Sequence, residues 1–540
     1  MCGRQKLQLF YCFISSYGRR GSRGLKSYVT RGEQTPPPVH AARGLCKTGS
    51  TSVWSSTKKV MGFLPFFSLE TWILLIAFVC LFVIYGYWTY GVFEKLGIPG
   101  PKPVMYWGTV ARYNKVFNPQ KCKCLRRPML AVMDPDMLKQ ILVKECFTYF
   151  TNRRNLRLNG DLYDAVSTAE DHQWRRIRNI ISPFFTSGHI KELFSIMKHH
   201  SHKLVLCLQS KVHNDEVIDI KDFFGPYSLD VMASCALSVD MDSINNPSSP
   251  FITHATNLFR FSKLLFAFQG CFPIFLPVLD LLGFSFFSKS STAFFKSLLS
   301  KIQAQRKGSA CQFVISLSVA TGLTDHEIIS QATMFVFAGF ETSATTLVFV
   351  AYNLARNPDV MKRLLKEIDA TFPNKAPVQY EALMKMEYLD SVVTECLRLY
   401  PPIPRLERLA KETVQINGIT IPKDMTVMIP VYALHRDPEL WPEPEVFKPD
   451  RFSKENKPHI NPYTYLPFGA GPRNCLGTRF ALVVVKLALV EVLQNFTFSV
   501  CEETEIPLQM EASAIIRPIR PIKLRLVARS TTSGNVDKCD

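Results

Sequence analysis

The segment Phe468-Gly-Ala-Gly-Pro-Arg-Asn-Cys475-Leu-Gly477 puts one cysteine on a glycine-rich loop, with Arg473 two residues before it. The run Thr478-Arg-Phe-Ala-Leu-Val-Val-Val-Lys486 follows at once and reads as the start of a helix. A thiolate is held by nearby cations, by backbone N–H donors and by a helix N-terminus. This loop offers all three, and its glycines permit the backbone turns that aim N–H groups at the sulfur. A lone cysteine is more often a small buried hydrophobe, and most of the 15 cysteines here read that way. Cys475 differs in having several chemically distinct residues arranged around it. Thiolate ligation of haem iron is one chemistry that such a loop can carry.

Three other groupings could do chemistry. Phe335-Val-Phe-Ala-Gly-Phe-Glu-Thr-Ser-Ala-Thr-Thr346 is apolar on most faces, yet carries Glu341 and Thr342 beside Gly339. Buried polar groups cost free energy unless paired. A small residue and a hydroxyl together can open a helix ladder to a ligand or water. Glu395-Cys-Leu-Arg398 places an acid and an arginine at i and i+3, among Leu389, Val392, Val393 and Leu397. Burial of that pair demands further hydrogen bonds. Trp174 and Arg178 share a helix face, and an indole N–H with a guanidinium suits a carboxylate. Arg175 and Arg176 read either as a solvated face or as a basic patch for an acidic electron donor.

The elements that must position these residues are mainly helical from about residue 135, with apolar residues at helical spacing. Strand-like pieces are fewer: Thr413–Ile421, Thr426–Pro430, Thr497–Cys501 and Lys523–Val527. The expected fold is therefore mainly α with small β-sheets. Hydrophobic residues make up 47% of the 540, and 40 are Phe, enough for a large core or cavity. The cysteines show no regular disulfide or zinc spacing, which suits a reducing, cytosol-facing domain. Residues 251–295 contain 12 Phe and read either as an interfacial or cavity-roofing segment or as ordinary core.

Residues 62–88 hold one charge, Glu70, and are long enough to span a bilayer with aromatic ends at the interface. A proline-rich linker, residues 89–103, follows the transmembrane signal-anchor of residues 61–88; the catalytic domain covers 104–527 and a polar tail 528–540. The formal charge is +19, and residues 1–60 hold 11 Lys or Arg against one acid, Glu33. That basic extension resembles a mitochondrial transit peptide, but its charge would draw the N-terminus to the cytosol. A start at Met61 removes the conflict: Lys95, Lys102, Arg112 and Lys115 then follow the span and hold the catalytic domain in the cytosol. The basic balance suits an anionic membrane surface or an acidic redox partner. No interleaved basic and aromatic motif points to nucleic acid.

Phe468, Gly469, Gly471, Arg473, Cys475 and Gly477 resemble the haem-binding loop of the cytochromes P450. Phe150-Thr-Asn-Arg-Arg154, Asp240-Met-Asp-Ser-Ile-Asn-Asn-Pro247, Pro373-Asn-Lys-Ala-Pro377 and Ala433-Leu-His-Arg-Asp-Pro438 are similar to family 3, subfamily A, in its fish-like form. The resemblance covers most of residues 61–527. It implies the cytochrome P450 fold behind a transmembrane helix, and a monooxygenase acting on steroids and lipophilic xenobiotics. Haem b would be held by Cys475 as axial ligand and by Phe468. Arg153, Trp174, Arg178, Arg408 and Arg473 would bind its propionates. Thr342 would hydrogen-bond the bound oxygen, and Glu341 would relay protons through water. Glu395, Arg398 and Arg451 would form a structural triad. Leu156, Ser167, Phe337, Ala338, Ile403 and Ile515 would line the substrate cavity. Electrons would come from NADPH through cytochrome P450 reductase, with cytochrome b5 as a further partner, at the endoplasmic reticulum membrane.

Two stretches depart from the family pattern. Between Pro103 and Met133 the chain is short and reads Lys121-Cys-Lys-Cys-Leu-Arg-Arg127 where first-sheet strands are expected. Between Lys301 and Thr324 an Asp-Phe-Leu segment is missing or replaced. Two rival functions follow. One is a reductase-independent lipid-peroxide isomerase, which the retained Glu341 and Thr342 disfavour. The other is a haem-binding protein made inactive by the missing segments.

Overall fold

The computed structural model describes residues 68–88, 90–98, 128–212, 216–258, 262–305, 322–511 and 514–529. The basic extension 1–60, Met61, the Pro99–Pro103 stretch, Cys122-Lys-Cys124 and residues 306–321 lie outside the described residues, as does the tail from 530. The chain divides into two units at Tyr90 and Gly91.

The first unit contains α1, Leu69–Tyr87, whose Ser68 cap accepts from the Thr71 N–H at 3.3 Å. Its side chains are largely exposed, and Gly86 is its one buried residue. At 1.5 Å per residue it is about 28 Å long, and it is long and apolar enough to cross a membrane.

In the second unit the longer helices are α2 (Asp171–Ile181), α3 (Phe194–Val212), α4 (Lys221–Met232), α5 (Lys263–Cys271), α6 (Lys289–Gln305), α7 (Asp325–Arg356), α8 (Pro358–Thr371), α9 (Glu387–Leu399) and α10 (Thr478–Asn495). The strands are β1 (Met129–Ala131), β2 (Val217–Asp219), β3 (Leu406–Leu409), β4 (Val414–Ile416), β5 (Ile419–Ile421), β6 (Thr426–Ile429), β7 (Phe496–Ser499), β8 (Met510–Glu511), β9 (Arg517–Pro518) and β10 (Lys523–Ala528). They form sheets ordered β1-β6-β3 and β2-β10-β7, with two-stranded pairs β4-β5 and β8-β9. The mainly helical expectation therefore holds. Thr413–Ile421 is not one strand but a hairpin, because Asn417 and Gly418 take positive φ (47° and 79°) and reverse the chain in two residues.

Helix α7 is the spine of this unit. Thr324 and Glu327 form a reciprocal capping box at its start. It runs unbroken for 32 residues, so Gly339 and Thr342 do not open its ladder as the sequence suggested. Gly339 instead permits close approach of α4: a Cβ there would sit 2.3 Å from Met232 Sδ. Helices α2, α3, α4, α8, α9 and α10 share one apolar core with α7. A second core lies around β1, β6 and β3 and includes Ile98, Leu130, Leu138, Ile141, Val427 and Ile429.

Two expected boundaries shift. Val92, Phe93, Leu96 and Ile98 pack on the second core, so this part of the linker belongs to the body rather than lying between anchor and body. At the other end, the Arg529 N–H donates to Asn495 O and its guanidinium to Asp369, so residues 528 and 529 belong with the body rather than with the polar tail. Among the described residues the first sheet has one early strand: β1 runs parallel to β6, with Met129 opposite Thr426. In the Phe-rich stretch both readings apply to different residues. Phe251, Phe286 and Phe295 are buried, while Phe268, Phe275 and Phe284 are exposed alongside Ile274, Leu281 and Leu282.

Candidate functional site

Two glycines shape the Cys475 loop. Gly469 and Gly471 both hold φ of +73°, a region that costs side-chain-bearing residues about 1 kcal/mol or more. At Gly471 there is no room either, because a Cβ would lie 1.9 Å from Leu142 O. The loop closes through Cys475 N–H to Phe468 O (2.8 Å) and Asn474 N–H to Gly471 O (3.0 Å). Thr478 Oγ1 donates to Cys475 O (3.0 Å) at the first residue of α10. Gly471→Ala is expected to destabilise the protein by about 3 kcal/mol through strain and overpacking. Chemical denaturation checks this; a change below 1 kcal/mol would show that the loop is not held by this fit.

The Cys475 thiol has accessible surface, yet protein atoms enclose it. Burial pushes its pKa up, against the opposing pull of the Gly477 N–H, the Thr478 hydroxyl, Arg178 and Arg153. A thiol raised in this way is a poor free nucleophile. A coordinated metal ion would deprotonate it outright. The sequence-level choice between reactive thiol and ligand thus tilts to ligand.

The cations beside the thiol are not the one adjacent in sequence. Arg473 turns away and donates to Thr151 O (2.8 Å), Val166 O (3.3 Å) and Ala169 O (2.8 Å). Its guanidinium lies over the Trp174 ring at 4.1 Å. Arg178, one turn beyond Trp174 on α2, donates to Asn474 O (3.0 Å) and Asn474 Oδ1 (2.8 Å), so it clamps the residue next to Cys475. Arg153, like the thiol, has accessible surface within an enclosed setting. Trp174 and Arg178 do share a face, as their spacing predicts.

Arg153, Arg408 and Arg473 repel one another. Burial first, then each other's charge, lowers Arg408 to about 10 and Arg473 to about 9. Burial also lowers Arg153, with Cys475 and Glu407 pulling the other way. Arg408 is 1% exposed, donates one N–H to Glu407 O (2.9 Å), and has no partner for Nε among the described residues. Glu407 is occupied by Arg154 and Arg405. A buried group of cations with an orphaned donor, next to an enclosed thiol, fits a group that brings its own carboxylates and a thiolate-seeking metal. The residues present therefore fit haem with two propionates.

On α7 most side chains between Ile328 and Ala355 are buried, but Phe337, Ala338, Gly339 and Thr342 keep accessible surface. Ala338 and Thr342 are one turn apart, so they look into the same space. Thr342 Oγ1 donates to Ala338 O at 2.7 Å. Glu341 points elsewhere: it is 5% exposed and pairs with Lys221 Nζ of α4 at 2.5 Å. Sequence reasoning missed Lys221, and nothing local marks it.

Two bridges join α7 to the Cys475 loop. Phe185 packs edge-on against Phe335 (5.4 Å between centroids) and lies 3.7 Å from where a Gly477 Cβ would be. The backbone at Val166 is held both by Gln331 Oε1 (2.7 Å, from Val166 N–H) and by Arg473. Ser167, between those anchors, donates to Met334 Sδ at 3.4 Å. Phe337 packs edge-on to Phe287 at 5.7 Å. Ile403, 37% exposed, and Ile515 come from adjoining backbone, since Ile516 N–H donates to Pro402 O (2.9 Å). Leu156 packs instead with Leu158, Leu276 and Phe286.

Behind the loop, Glu395 and Arg398 are both 0% exposed and face each other through two bonds of 2.7 and 2.8 Å. Arg451 approaches Glu395 Oε1 at 3.4 Å, which completes the expected triad. His435, also unread in the sequence, accepts Leu466 N–H at Nε2 (2.8 Å), so its Nδ1 carries the proton and donates to Arg398 O (3.1 Å). Burial lowers its pKa to about 3, which keeps it neutral. The triad is thereby tied to the strand of chain that enters the Cys475 loop.

Residues 106–526 match the family model described as Cytochrome P450. Cytochrome P450 3A27 of Oncorhynchus mykiss is 54% identical over 507 residues, which cover 88% of this chain and 98% of that protein. Cytochrome P450 3A40 of Oryzias latipes is 54% identical over 502 residues, covering 88% of this chain and 100% of that protein. Cytochrome P450 3A29 of Sus scrofa is 45% identical over 507 residues, covering 88% and 100%.

Proposed function

The chain belongs to the cytochrome P450 family, in its 3A group, and from that premise we propose that it hydroxylates lipophilic molecules with electrons from NADPH delivered by cytochrome P450 reductase. The class itself, a haem-dependent monooxygenase, follows from the family. The observation that carries this reading is the enclosed Cys475 thiol beside Arg153 and the buried guanidiniums of Arg408 and Arg473, which repel one another.

In this reading the Cys475 thiolate would bind the haem iron, and Arg153, Arg408 and Arg473 would hold the propionates, with Trp174 stacked on Arg473. Arg178 acts through Asn474 and holds the loop. Phe468 accepts the Cys475 N–H and fixes where the sulfur points. When bound, the haem supplies activation of molecular oxygen. The chain supplies position and protons. Thr342 offers a hydroxyl toward the open space while its proton rests on Ala338 O. Glu341 holds a proton acceptor one residue away, linked through Lys221, whose side chain is 40% exposed, to solvent. Ala338, Phe337, Ile403 and Ile515 give that space an apolar wall, and Ser167 adds one hydroxyl. Such a wall selects for size and lipophilicity.

Helix α1 supports anchoring in the endoplasmic reticulum membrane with the second unit on the cytosolic side. Cytochrome b5 fits the same scheme as a second electron donor. Thr342→Ala is expected to cut product formed per NADPH by at least about tenfold, with the balance released as peroxide. Stopped assays of NADPH, product and peroxide measure this. Unchanged coupling would remove Thr342 from proton delivery, and turnover of a lipid peroxide without NADPH would favour an isomerase.

A further inference from the structure

Residues 160–169 pack along the N-terminal half of α7, on the approach to Thr342, and regular structure contributes little to holding them. One 3₁₀ turn, Gly160–Leu162, is followed by turns to Thr168. Several fastenings are internal. Arg473 takes Val166 O and Ala169 O, while Gln331 of α7 accepts Val166 N–H and donates to Asp164 O (2.9 Å). Ser330 Oγ donates to Asp161 O (3.4 Å), Ser167 donates to Met334 Sδ, and Leu162 and Ala165 pack on Met334. One more is at the rim. His326 Nδ1 donates to Asp164 Oδ2 at 2.7 Å, and Tyr163 stacks on the imidazole at 5.0 Å.

Asp164 is the unusual member. Its side chain is 2% exposed, and its Oδ1 has no partner among the described residues. His326, 33% exposed, is thus the one side chain that hydrogen-bonds this carboxylate among the described residues. Without it, a carboxylate would stay buried with neither oxygen paired, a more costly state than losing a few turn hydrogen bonds. Relief comes when the turn around Asp164 lifts and hydrates the carboxylate, at the expense of some packing of Leu162 and Ala165 on Met334. Segments held by few bonds open in this way. Ser167 rides on the same stretch, so the space beside Ser167 widens when the stretch lifts.

We propose that His326 is a specificity-determining positioning residue: by holding Asp164 it keeps residues 160–169 down and limits the size of molecule admitted beside Ser167. This rests on the reading of that space as the substrate cavity. His326 touches no reacting group, since Thr342 lies 16 residues further along α7, about 24 Å by helix rise.

The test uses the full-length haem-loaded protein in detergent and three variants: His326→Ala, His326→Gln and Asp164→Asn. Hydrogen exchange over residues 160–169 is followed by mass spectrometry. Equilibrium dialysis gives Kd for a single-ring alkylbenzene and for a four-ring sterol. In His326→Ala, exchange is expected to rise about tenfold. The sterol Kd is expected to fall about fivefold relative to that of the alkylbenzene. Gln and Asn can each keep the hydrogen bond, so His326→Gln and Asp164→Asn are expected to behave as the parent. Unchanged exchange overturns the proposal, and so does faster exchange with an unchanged Kd ratio. Equal loss in all three variants also overturns it, since it marks a role in folding alone. Failure of the monooxygenase reading would show differently, as a parent protein that carries no haem.

Discussion

Replacing Cys475 by alanine is expected to abolish the thiolate-type Soret band of the reduced, CO-bound protein and to take monooxygenase turnover below detection. The loop geometry makes this a clean substitution. The hydrogen bonds that close the loop at this residue use its backbone, with the Cys475 N–H going to Phe468 O and Cys475 O accepting from Thr478, while the sulfur takes the Gly477 N–H and the Thr478 hydroxyl. Gly469 and Gly471 set the turn independently of the sulfur. The protein should therefore fold, with a stability change within about 1 kcal/mol for an exposed-type position. Serine extends the test, because its hydroxyl fills similar space but is a hard donor that does not reproduce a thiolate. A reduced CO spectrum identical to that of the parent would remove Cys475 as ligand. Loss of the band together with loss of folding would point to a structural thiol.

The sequence carried this loop because all of its chemistry is local. Six marked residues fall within ten positions, and two glycines are required by positive φ and by the Leu142 carbonyl. The same holds for Glu395 and Arg398, one helix turn apart, and for Trp174 and Arg178. What sequence could not carry is pairing between distant segments. Lys221 meets Glu341 across 120 positions, and Arg473 reaches Thr151 across 322. Adjacency suggested that Arg473 would sit by the thiol. Its planar fork found three backbone carbonyls instead, an arrangement that depends on how residues 151–169 fold back.

The fold shows the same division. Helices were readable from apolar spacing, and the Asn417-Gly418 turn was present as a type-specific signal inside a run taken for one strand. The continuity of α7 through Thr342 was not readable. A threonine that donates to the i−4 carbonyl can break a helix or leave it continuous, and here α7 stays continuous with α4 packed closely at Gly339. His435 was invisible for a further reason. A histidine in a turn gives no hint of burial, yet this one stays neutral because burial lowers it to about 3 and both ring nitrogens are used.

Arg398→Ala is expected to be the most destabilising single change in the second unit. All five guanidinium N–H groups of Arg398 are spent. Nε and Nη2 bind the two oxygens of Glu395 (2.7 and 2.8 Å), Nη2 also reaches Val446 O (3.4 Å), and Nη1 binds His435 O and Pro444 O (both 2.8 Å). Removing the side chain leaves Glu395 as a buried carboxylate. Its remaining support is Lys448 N–H (2.9 Å) and Arg451 at 3.4 Å. It also orphans buried backbone carbonyls. Breaking a buried pair from one side costs about 3–5 kcal/mol, against about 1 kcal/mol for an exposed pair, so the zero exposure of both partners decides the size. Lysine should not rescue it, because an ammonium has three donors and no planar fork for five acceptors. Urea denaturation of parent, Arg398→Ala, Glu395→Ala and the double variant gives the coupling. The double variant is expected to be more stable than the sum of the single losses implies, since it leaves no unpaired charge. Because Arg398 Nη1 holds His435 O and His435 Nε2 in turn accepts the Leu466 N–H, haem loss from Arg398→Ala is expected to precede global unfolding as the Cys475 loop loosens. Simple additivity of the two single variants would show that the pair does not act as a unit. Haem release coincident with unfolding would show that the triad does not steady the loop.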